Sequence, residues 1–362
     1  MSDSKTPNPR DVQTSAEAEQ REQEPLIAIE PLTAFLDSEN LGSGPITATP
    51  IGGGHSNVTY ALGRGSERFV LRRPPRGPLP ASTHDMLREA RLLKALAAAG
   101  VRVPEVLAVG ENADVIGAPF YVMGFIDGYV LDSELPEPLA GPHSGERIAE
   151  ELVDALVELH TVDISQPDVA SFGRPDGYLA RQIRRFRGLL EQGATRPLPA
   201  LEQVAEWLER NLPGSSAGTV VHGDYRLGNV MLDRMAPPRI AVLLDWEMAT
   251  LGDPLADLGY MTVAWAEPGD PPDPMLDLST VTRLAGFPRR ETLASLYAER
   301  SGRDLSSLVW YQTLALWKAA IFLEGSYRRY LAGTTSDPFF AGLESGVPTL
   351  AQRALKQTRT GT

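Results

Sequence analysis

The spacing of apolar residues divides this 362-residue chain into an earlier part with strand-like patterns and a longer part with helical patterns. In the earlier part, short runs of apolar and β-branched residues alternate with glycine-containing turns, which is typical of strands. The predicted strands are residues 46–51, 58–62, 68–72, 103–109 and 120–123. Apolar residues at helical spacing predict one helix at 25–41 and another at 83–99, the second ending at Gly100.

Helical periodicity dominates after residue 144. The predicted helices are residues 146–160, 175–192, 201–211, 290–300 and 305–330, and two apolar strands at 219–221 and 240–244 interrupt them. The predicted fold class is therefore α+β and bilobal. A small N-terminal lobe at 25–128 carries an antiparallel sheet, one helix and the leading helix, and a larger, mainly helical lobe occupies 129–362.

Composition narrows the class of protein. A hydrophobic content of 42% is enough for a sizeable core, and the lack of cysteine excludes disulfides, a thiol nucleophile and cysteine-based metal sites. The net charge of −13 argues against nucleic-acid binding and is mildly favourable for cationic ligands. Residues 1–24 are polar and lack the order of a signal peptide, so we expect a disordered tail. No apolar run is long enough to span a bilayer, and we expect a cytoplasmic protein.

The main candidate for chemistry is the run HGDYRLGN at residues 222–229, followed by DWE at 245–247. Each follows a predicted buried strand. Phosphoryl transfer from ATP needs a carboxylate that orients and deprotonates the attacking hydroxyl, and oxygen ligands that hold Mg²⁺ on the phosphates. We therefore predict Asp224 as the catalytic base, with Asn229 and Asp245 as the Mg²⁺ ligands. The alternative for Asp224 is a loop residue that caps a turn.

The polar neighbours of this motif have simpler interpretations. A histidine at the start of such a loop fixes the backbone by hydrogen bonds, and this is the predicted role of His222. His160 is expected to be packed or to cap its helix. Asp253 and Asp257 precede or open the next helix, and N-capping accounts for both. Glu247 is either a further metal or substrate contact or a solvated residue.

A run of glycines before the second strand is a candidate cover for the nucleotide phosphates, because glycine lets the backbone approach a ligand closely. The alternative is an ordinary turn. No Gly-Lys-Ser/Thr follows, so the run is not a Walker A loop. The predicted contacts are Gly53, Gly54, Ser56 and Asn57.

Four further residues are candidates for the nucleotide site. Arg72 ends the strand on which kinases carry a phosphate-pairing lysine, and Glu89 is the candidate helix partner. The pair either contacts phosphates or is only structural. Met123 and Phe125 lie where the lobes connect and are candidates for packing near the adenine, the alternative being an edge strand that ends in a turn.

The core motif resembles that of the aminoglycoside phosphotransferase-like superfamily of small-molecule kinases. Three further blocks look closest to the kinase domain that occurs alone in bacteria or fused to acyl-CoA dehydrogenases: GGHSNVTY at 53–60, FGRPDGY at 172–178 and LDWEMATLGDP at 244–254. The resemblance covers most of residues 46–330. It implies a protein-kinase-like bilobal fold, ATP and Mg²⁺ as cofactors, Asp224 as base, and Asn229 and Asp245 at the metal.

The chain departs from the family pattern at Arg72, where the superfamily has lysine, and at Asp245, which opens DWE instead of the DFG of protein kinases. Nothing resembles a long activation segment, which argues against a protein substrate.

The resemblance implies a small-molecule alcohol as acceptor, and similarity to the dehydrogenase-associated branch suggests hydroxyacyl compounds or their CoA esters. The alternatives are an aminoglycoside-inactivating kinase and a catalytically idle nucleotide-binding regulatory protein. A basic run suits an anionic substrate, although a solvated helix face explains it as well; its members are Arg174, Arg181, Arg184, Arg185 and Arg187. The acidic, proline-rich segment at 267–274 predicts an exposed loop.

Overall fold

The computed structural model describes residues 11–12, 26–52, 57–75, 84–214, 216–273, 276–333 and 338–360. The chain divides into two compact units, Met1–Ile126 and Asp127–Thr362. Apart from Asp11 and Val12, the predicted N-terminal tail lies outside the described residues. None of the helices in these ranges combines the length and the apolar content that crossing a bilayer requires.

The first unit is built on a five-stranded antiparallel sheet with the order β3-β4-β5-β7-β6. Its strands are β3 Ile46–Ile51, β4 Val58–Arg64, β5 Glu67–Arg73, β6 Val106–Gly110 and β7 Phe120–Gly124. Two short strands, β1 Asp11–Val12 and β2 Ile27–Ala28, pair in parallel, and two helices are described, α1 Ile29–Ser38 and α2 Met86–Ala98.

Alternating side chains of the central strands create the core of the first unit, because successive residues of a strand point to opposite faces. Leu62 and Leu71 are buried in a cluster with Phe120. Leu32 and Leu36 of α1 belong to the same cluster. Helix α2 packs against β6 and β7. This arrangement holds β5 and α2, which carry the candidate pair Arg72 and Glu89, in one compact unit.

The second unit is mainly helical. Its helices are α3 Ser144–His160, α4 Pro167–Ala170, α5 Tyr178–Gly193, α6 Pro199–Arg210, α7 Leu255–Val263, α8 Arg290–Ser301, α9 Leu308–Leu331 and α10 Leu343–Gln357. Its strands are β8 Gly128–Tyr129, β9 Thr219–Val221, β10 Val230–Asp233, β11 Ile240–Leu243 and β12 Thr250–Gly252. They form two small antiparallel sheets, β11-β10-β8 and β12-β9.

The 24-residue helix α9 organises the second unit by packing against α5, α6, α7 and α10. The two tryptophans of α9 are buried, and their indole N–H groups donate to backbone carbonyls of α6, since a buried indole N–H generally needs an acceptor. Trp310 Nε1 donates to the Leu208 carbonyl at 3.1 Å, and Trp317 Nε1 donates to the Leu201 carbonyl at 3.0 Å. The helix is thus held in one rotational setting, which fixes the direction of its polar residues.

The predicted organisation, an antiparallel sheet followed by a mainly helical part, is confirmed. Local differences have physical reasons. The predicted strand at 103–109 begins only at Val106, because Pro104 has no N–H for the sheet. The predicted helix at 175–192 begins at Tyr178, after Gly177, which has a left-handed φ of 64°. Helix α10 was not predicted, and its internal Pro348 obscures its helical pattern.

We expect Trp317→Ala to lower the free energy of unfolding by about 3–5 kcal/mol, because it removes a large side chain with 0% exposure and leaves a cavity. Phe322→Ala on the same helix is the control, since Phe322 is 48% exposed, and its effect should stay within about 0.5 kcal/mol. Urea unfolding followed by circular dichroism measures both. Equal effects of the two substitutions would contradict the packing described for α9.

Candidate active site

The loop that follows β9 is fixed by the buried side chain of His222. Its Nδ1 accepts the Asp224 N–H at 3.3 Å, and its Nε2 donates to the Leu244 carbonyl at 2.9 Å. One imidazole therefore joins the loop of Asp224 to the residue that precedes Asp245. The predicted role of His222 in holding the loop backbone is confirmed.

The same loop is anchored from α7 by the carboxylate of Asp257, which is fully buried. Its Oδ2 accepts the His222 N–H at 2.7 Å and its Oδ1 accepts the Gly223 N–H at 2.8 Å. The prediction that Asp257 is an N-cap is therefore wrong: the carboxylate bonds to the loop of the motif. Asp253 fits the capping interpretation, because its Oδ1 accepts the Leu255 N–H at 3.0 Å at the start of α7.

His160, at the end of α3, completes the support of Asp257. Its Nε2 lies 3.3 Å from Asp257 Oδ2, and its Nδ1 lies 2.7 Å from the Tyr297 hydroxyl. Burial lowers the pKa of His160, although the hydrogen bond and charge of Asp257 oppose that effect. The neutral ring then donates from Nε2 to Asp257 and accepts the Tyr297 O–H at Nδ1. His160 is thus a packed histidine, as expected, that helps to hold an anchor of the loop.

Two backbone positions of the motif have left-handed φ angles. Gly223 has φ +87°, and a Cβ atom added there would lie 2.7 Å from the Met248 carbonyl oxygen, so only glycine fits. Asp245 has φ 65°, which is unusual for a residue with a side chain. Such strain persists only when the surroundings impose it, and it clusters at functional sites. Trp246, buried next to Asp245, fixes the turn by donating from Nε1 to the Leu243 carbonyl at 3.0 Å.

Asn229 links the two candidate acidic segments. Its Nδ2 donates to the Asp224 carboxylate Oδ2 at 2.6 Å and to the Asp224 carbonyl at 2.8 Å. Its own carbonyl accepts the Leu244 N–H at 2.8 Å. The structure thus brings Asn229 directly against Asp224 and bonds it to the residue before Asp245. Because the amide nitrogen is used by Asp224, the amide oxygen is the atom that remains for a ligand.

These donors suit Mg²⁺. One amide oxygen and one carboxylate, from Asn229 and Asp245, are hard oxygen ligands, and Mg²⁺ bound to nucleotide phosphates needs few more from the protein. Among the residues that the structure describes, no group of three or more histidine and acidic side chains is arranged to hold a metal ion. An ion at Asn229 and Asp245 would accordingly complete its shell with phosphate oxygens and water.

Two residues that the motif did not predict flank Asp224. Arg226 Nε lies 3.6 Å from Asp224 Oδ1, and this buried nitrogen has no hydrogen-bond partner among the described residues. The guanidinium lies over Gly228, where a Cβ atom would collide with Nη1. Tyr260 of α7 interacts with both Asp224 and Arg226, and burial, followed by the charge of Asp224, raises its pKa. Arg226 could have been noticed from its place inside the motif, but nothing local marks Tyr260.

In the first unit, the structure brings Arg72 and Glu89 together. Arg72 Nε lies 3.2 Å from Glu89 Oε1, and both side chains are largely buried. The Tyr121 hydroxyl donates to the same Glu89 oxygen at 3.1 Å. Tyr121 is also the partner of Arg72 in the register of β5 with β7. The pair is therefore a built feature of the sheet and α2.

Three other candidates for the nucleotide site are described, and each has its own contacts. Met123 is buried in β7 opposite Val70, and the Arg68 guanidinium carbon lies 3.5 Å from the centre of the Phe125 ring. Asn57 is buried, with its Oδ1 2.7 Å from His84 Nδ1. The predicted phosphate contacts Gly53, Gly54 and Ser56 lie outside the described residues.

Comparison with known proteins identifies the family of this chain. Residues 47–306 match the sequence model of the phosphotransferase enzyme family, APH, and the chain belongs to this family. The family and the fold assign it to the small-molecule phosphotransferases.

The curated proteins that resemble this chain are named as acyl-CoA dehydrogenase family members. The chain is 33% identical over 340 residues to acyl-CoA dehydrogenase family member 11 of Rattus norvegicus and 35% identical over 298 residues to family member 10 of Mus musculus. These matches cover 91% and 81% of this chain but only 43% and 27% of the relatives. The chain therefore spans less than half the length of either protein.

Solved structures give the fold. A protein of Ralstonia eutropha JMP134, provisionally assigned as an aminoglycoside phosphotransferase, is 28% identical and superposes with a TM-score of 0.77 over 91% of this chain and 98% of its own. Aminoglycoside phosphotransferase APH(4)-Ia, in a complex with AMP-PNP and hygromycin B, is 17% identical, with a TM-score of 0.59 over 90% and 98% of the two chains. The predicted protein-kinase-like fold is confirmed.

The neutral, buried His160 predicts a pH dependence of stability. The unfolded histidine titrates near a pKa of about 6.5, and the folded pKa is lower, so acid protonates the unfolded chain first and stability falls as pH drops below about 6.5. The slope contributed by this group is at most about 1.4 kcal/mol per pH unit. The free energy of unfolding, measured with urea between pH 6.5 and 5.5, should fall less steeply with decreasing pH in His160→Gln than in the wild type.

The control for this prediction is His143→Gln, because His143 is exposed and its ring lies 2.7 Å from the exposed Glu146 carboxylate. It should keep the wild-type slope. If His160→Gln keeps that slope as well, the neutral state assigned to His160 is incorrect.

Proposed function

We propose that the protein transfers the γ-phosphoryl group of ATP, with Mg²⁺, to a hydroxyl group of a small molecule. The observation that carries this proposal is the double role of Asn229, whose amide nitrogen holds Asp224 while its amide oxygen remains for a metal. In-line transfer to an alcohol requires a base and metal ligands in fixed positions, and the Asn229 side chain would connect the two.

Asp224 would accept the hydroxyl proton as the acceptor oxygen forms a bond with phosphorus and the bond to the ADP oxygen breaks. The proton ends on the carboxylate and ADP leaves. Arg226 and Asn229 orient the two carboxylate oxygens, with Nε 3.6 Å from Oδ1 and Nδ2 2.6 Å from Oδ2. Asn229 and Asp245 would hold Mg²⁺, and the bound ion would neutralise phosphate charge.

We propose that residues of the first unit contact the nucleotide. Arg72, oriented by Glu89, offers a planar fork of donors to phosphate oxygens in place of the point charge of a lysine. We assign phosphate contacts to the segment with Gly53, Gly54, Ser56 and Asn57, and adenine packing to Met123 and Phe125.

We propose a hydroxyacyl compound, free or as its CoA ester, as the acceptor. The support is the name of the relatives at 33% and 35% identity, which are acyl-CoA dehydrogenase family members. An aminoglycoside acceptor is the second candidate, favoured by the TM-score of 0.77 with the Ralstonia protein. An idle nucleotide-binding regulator is the third, favoured by Arg72 in the position of the usual lysine.

Asp224→Asn should lower kcat by about 10²–10⁴-fold, because the amide cannot take the hydroxyl proton. The control is Asp233→Asn, which changes an exposed carboxylate at the end of β10 and should keep wild-type turnover. A coupled assay for ADP with ATP·Mg²⁺ and a panel of hydroxy acids, hydroxyacyl-CoAs and aminoglycosides measures both. Wild-type turnover by Asp224→Asn would refute its assignment as base.

The same panel separates the three candidates. Phosphorylation of hydroxyacyl compounds, seen as a new phosphate ester by ³¹P NMR, supports the first. Turnover confined to aminoglycosides supports the second. Calorimetric binding of ATP without turnover of any alcohol supports the idle regulator.

Arg72→Met should raise the KM for ATP by about 10–100-fold, because it removes the charge proposed to face the phosphates. Arg72→Lys should recover much of the affinity, and Arg91→Met, an exposed arginine of α2, should have no effect. An unchanged KM in Arg72→Met together with a lower melting temperature would mean that the pair with Glu89 is only structural.

A further inference from the structure

Arg226 is a cation beside the candidate base whose hydrogen-bonding capacity the protein does not fill. Its Nε lies 3.6 Å from Asp224 Oδ1, which is close enough for an ion pair but too long for a hydrogen bond. This nitrogen is buried, and among the described residues it has no hydrogen-bond partner. A buried donor without an acceptor costs about 1–3 kcal/mol, and a bound oxyanion would offset that cost.

The motif provides a defined position for the guanidinium. A Cβ atom added to Gly228 would lie 2.1 Å from Arg226 Nη1 and 3.0 Å from Ser279 Oγ, so the guanidinium occupies space that a larger side chain would take. Ser279 is itself fixed, because it is buried and its Oγ donates to the Leu131 carbonyl at 3.2 Å. The guanidinium therefore lies against the motif and close to the segment that carries Ser279.

A ligand can reach both charged groups. The side chain of Arg226 is 21% exposed and that of Asp224 is 25% exposed. In the described part of the chain, Asp224 is the only carboxylate within 4 Å of the guanidinium, and its Oδ2 already accepts the Asn229 Nδ2 at 2.6 Å. Arginine has five N–H donors, so this one carboxylate leaves donors for a further oxyanion.

The distance to Asp224 limits which ligand atoms come near Arg226. A hydroxyl that donates to the carboxylate lies about 3 Å from it, and the phosphorus atom that this hydroxyl attacks is its next neighbour. Phosphoryl oxygens therefore come close to a guanidinium that is 3.6 Å from the same carboxylate. A carboxylate of the acceptor does so only when it is close to the hydroxyl along the carbon chain. Both groups present the oxygens that the planar fork of arginine suits.

We propose that Arg226 is an oxyanion-binding residue of the candidate active site, and that it holds a phosphoryl oxygen during transfer or a carboxylate of the acceptor. The proposal rests on the proposed function, since it takes Asp224 as the base. As the hydroxyl oxygen bonds to phosphorus and the bond to the ADP oxygen breaks, the proton goes to Asp224. Arg226 keeps its charge throughout and stabilises the negative oxygens. The competing role is structural, an arginine that only pairs with Asp224.

The first test compares ADP·Mg²⁺ with ADP·Mg²⁺ plus fluoroaluminate, an anion that imitates the phosphoryl group in transfer. In calorimetry, we expect fluoroaluminate to tighten binding to the wild type. Arg226→Met should lose about 10–100-fold of the affinity for the fluoroaluminate complex, while its affinity for ADP stays within about twofold of the wild type. Arg226→Lys should recover part of the loss. The matched control is Arg234→Met, since the Arg234 side chain is 51% exposed and pairs with Asp127.

The second probe tests the acceptor as the source of the oxyanion. It is 3-hydroxyhexanoate, titrated in the presence of ADP, with its primary amide as the uncharged match. Binding of the acid but not of the amide, lost in Arg226→Met, identifies a carboxylate of the acceptor. Loss of fluoroaluminate affinity identifies the phosphoryl group. Wild-type affinity for both probes in Arg226→Met would overturn the proposal, as would a wild type that binds neither.

Two further outcomes separate this contact from a structural role and from the proposed function. In ¹⁹F NMR, Arg226→Lys should shift a signal of the bound fluoroaluminate and Arg234→Lys should not. A fall in ADP affinity equal to the fall in fluoroaluminate affinity would overturn the proposal, because Arg226 would then support the nucleotide site or the fold. If an oxyanion binds through Arg226 but the wild type phosphorylates no alcohol, the proposed function fails while the oxyanion site stands.

Discussion

The buried carboxylate of Asp257 is the constraint on which the candidate site depends. It accepts two consecutive backbone N–H groups, from His222 and Gly223, and a neutral His160 supports it from α3. Hydrogen bonds to a charged group contribute about 1.5–3 kcal/mol each, and a buried carboxylate without them would be strongly unfavourable. These hydrogen bonds fix the turn of the motif to the helices of its unit. The His222 side chain in turn donates to the Leu244 carbonyl and so fixes the residue before Asp245.

One positively charged side chain lies beside Asp224 in a chain whose net charge is negative. The protein carries a net charge of −13, yet Arg226 Nε lies 3.6 Å from Asp224 Oδ1. Long-range charge is screened over roughly 10 Å at ordinary ionic strength, so the nearest groups decide which acceptor binds.

The sequence allowed prediction of those features that local spacing encodes. The sheet-then-helix order, the hydrogen-bonding role of His222 and the residues of the motif all follow from patterns within a few residues of each other. The interactions of Asp257 and Tyr260 with the motif were not predicted, because both residues reach it from α7 through tertiary packing. Asp257 shows the difficulty most clearly: its position at a helix start indicates a cap, and only the folded chain reveals its bonds to His222 and Gly223.

The proposed function requires that Asn229 and Asp245 hold the metal while Asn229 positions Asp224. Its most direct measurement is a crystal structure with AMP-PNP and Mn²⁺ in place of Mg²⁺, with the ion located by anomalous scattering. We expect an ion about 2.1 Å from Asn229 Oδ1 and from an Asp245 carboxylate oxygen, with the Asn229 amide nitrogen still bonded to Asp224. An ion bound without Asn229, or with Asp224 as a ligand in its place, would contradict it.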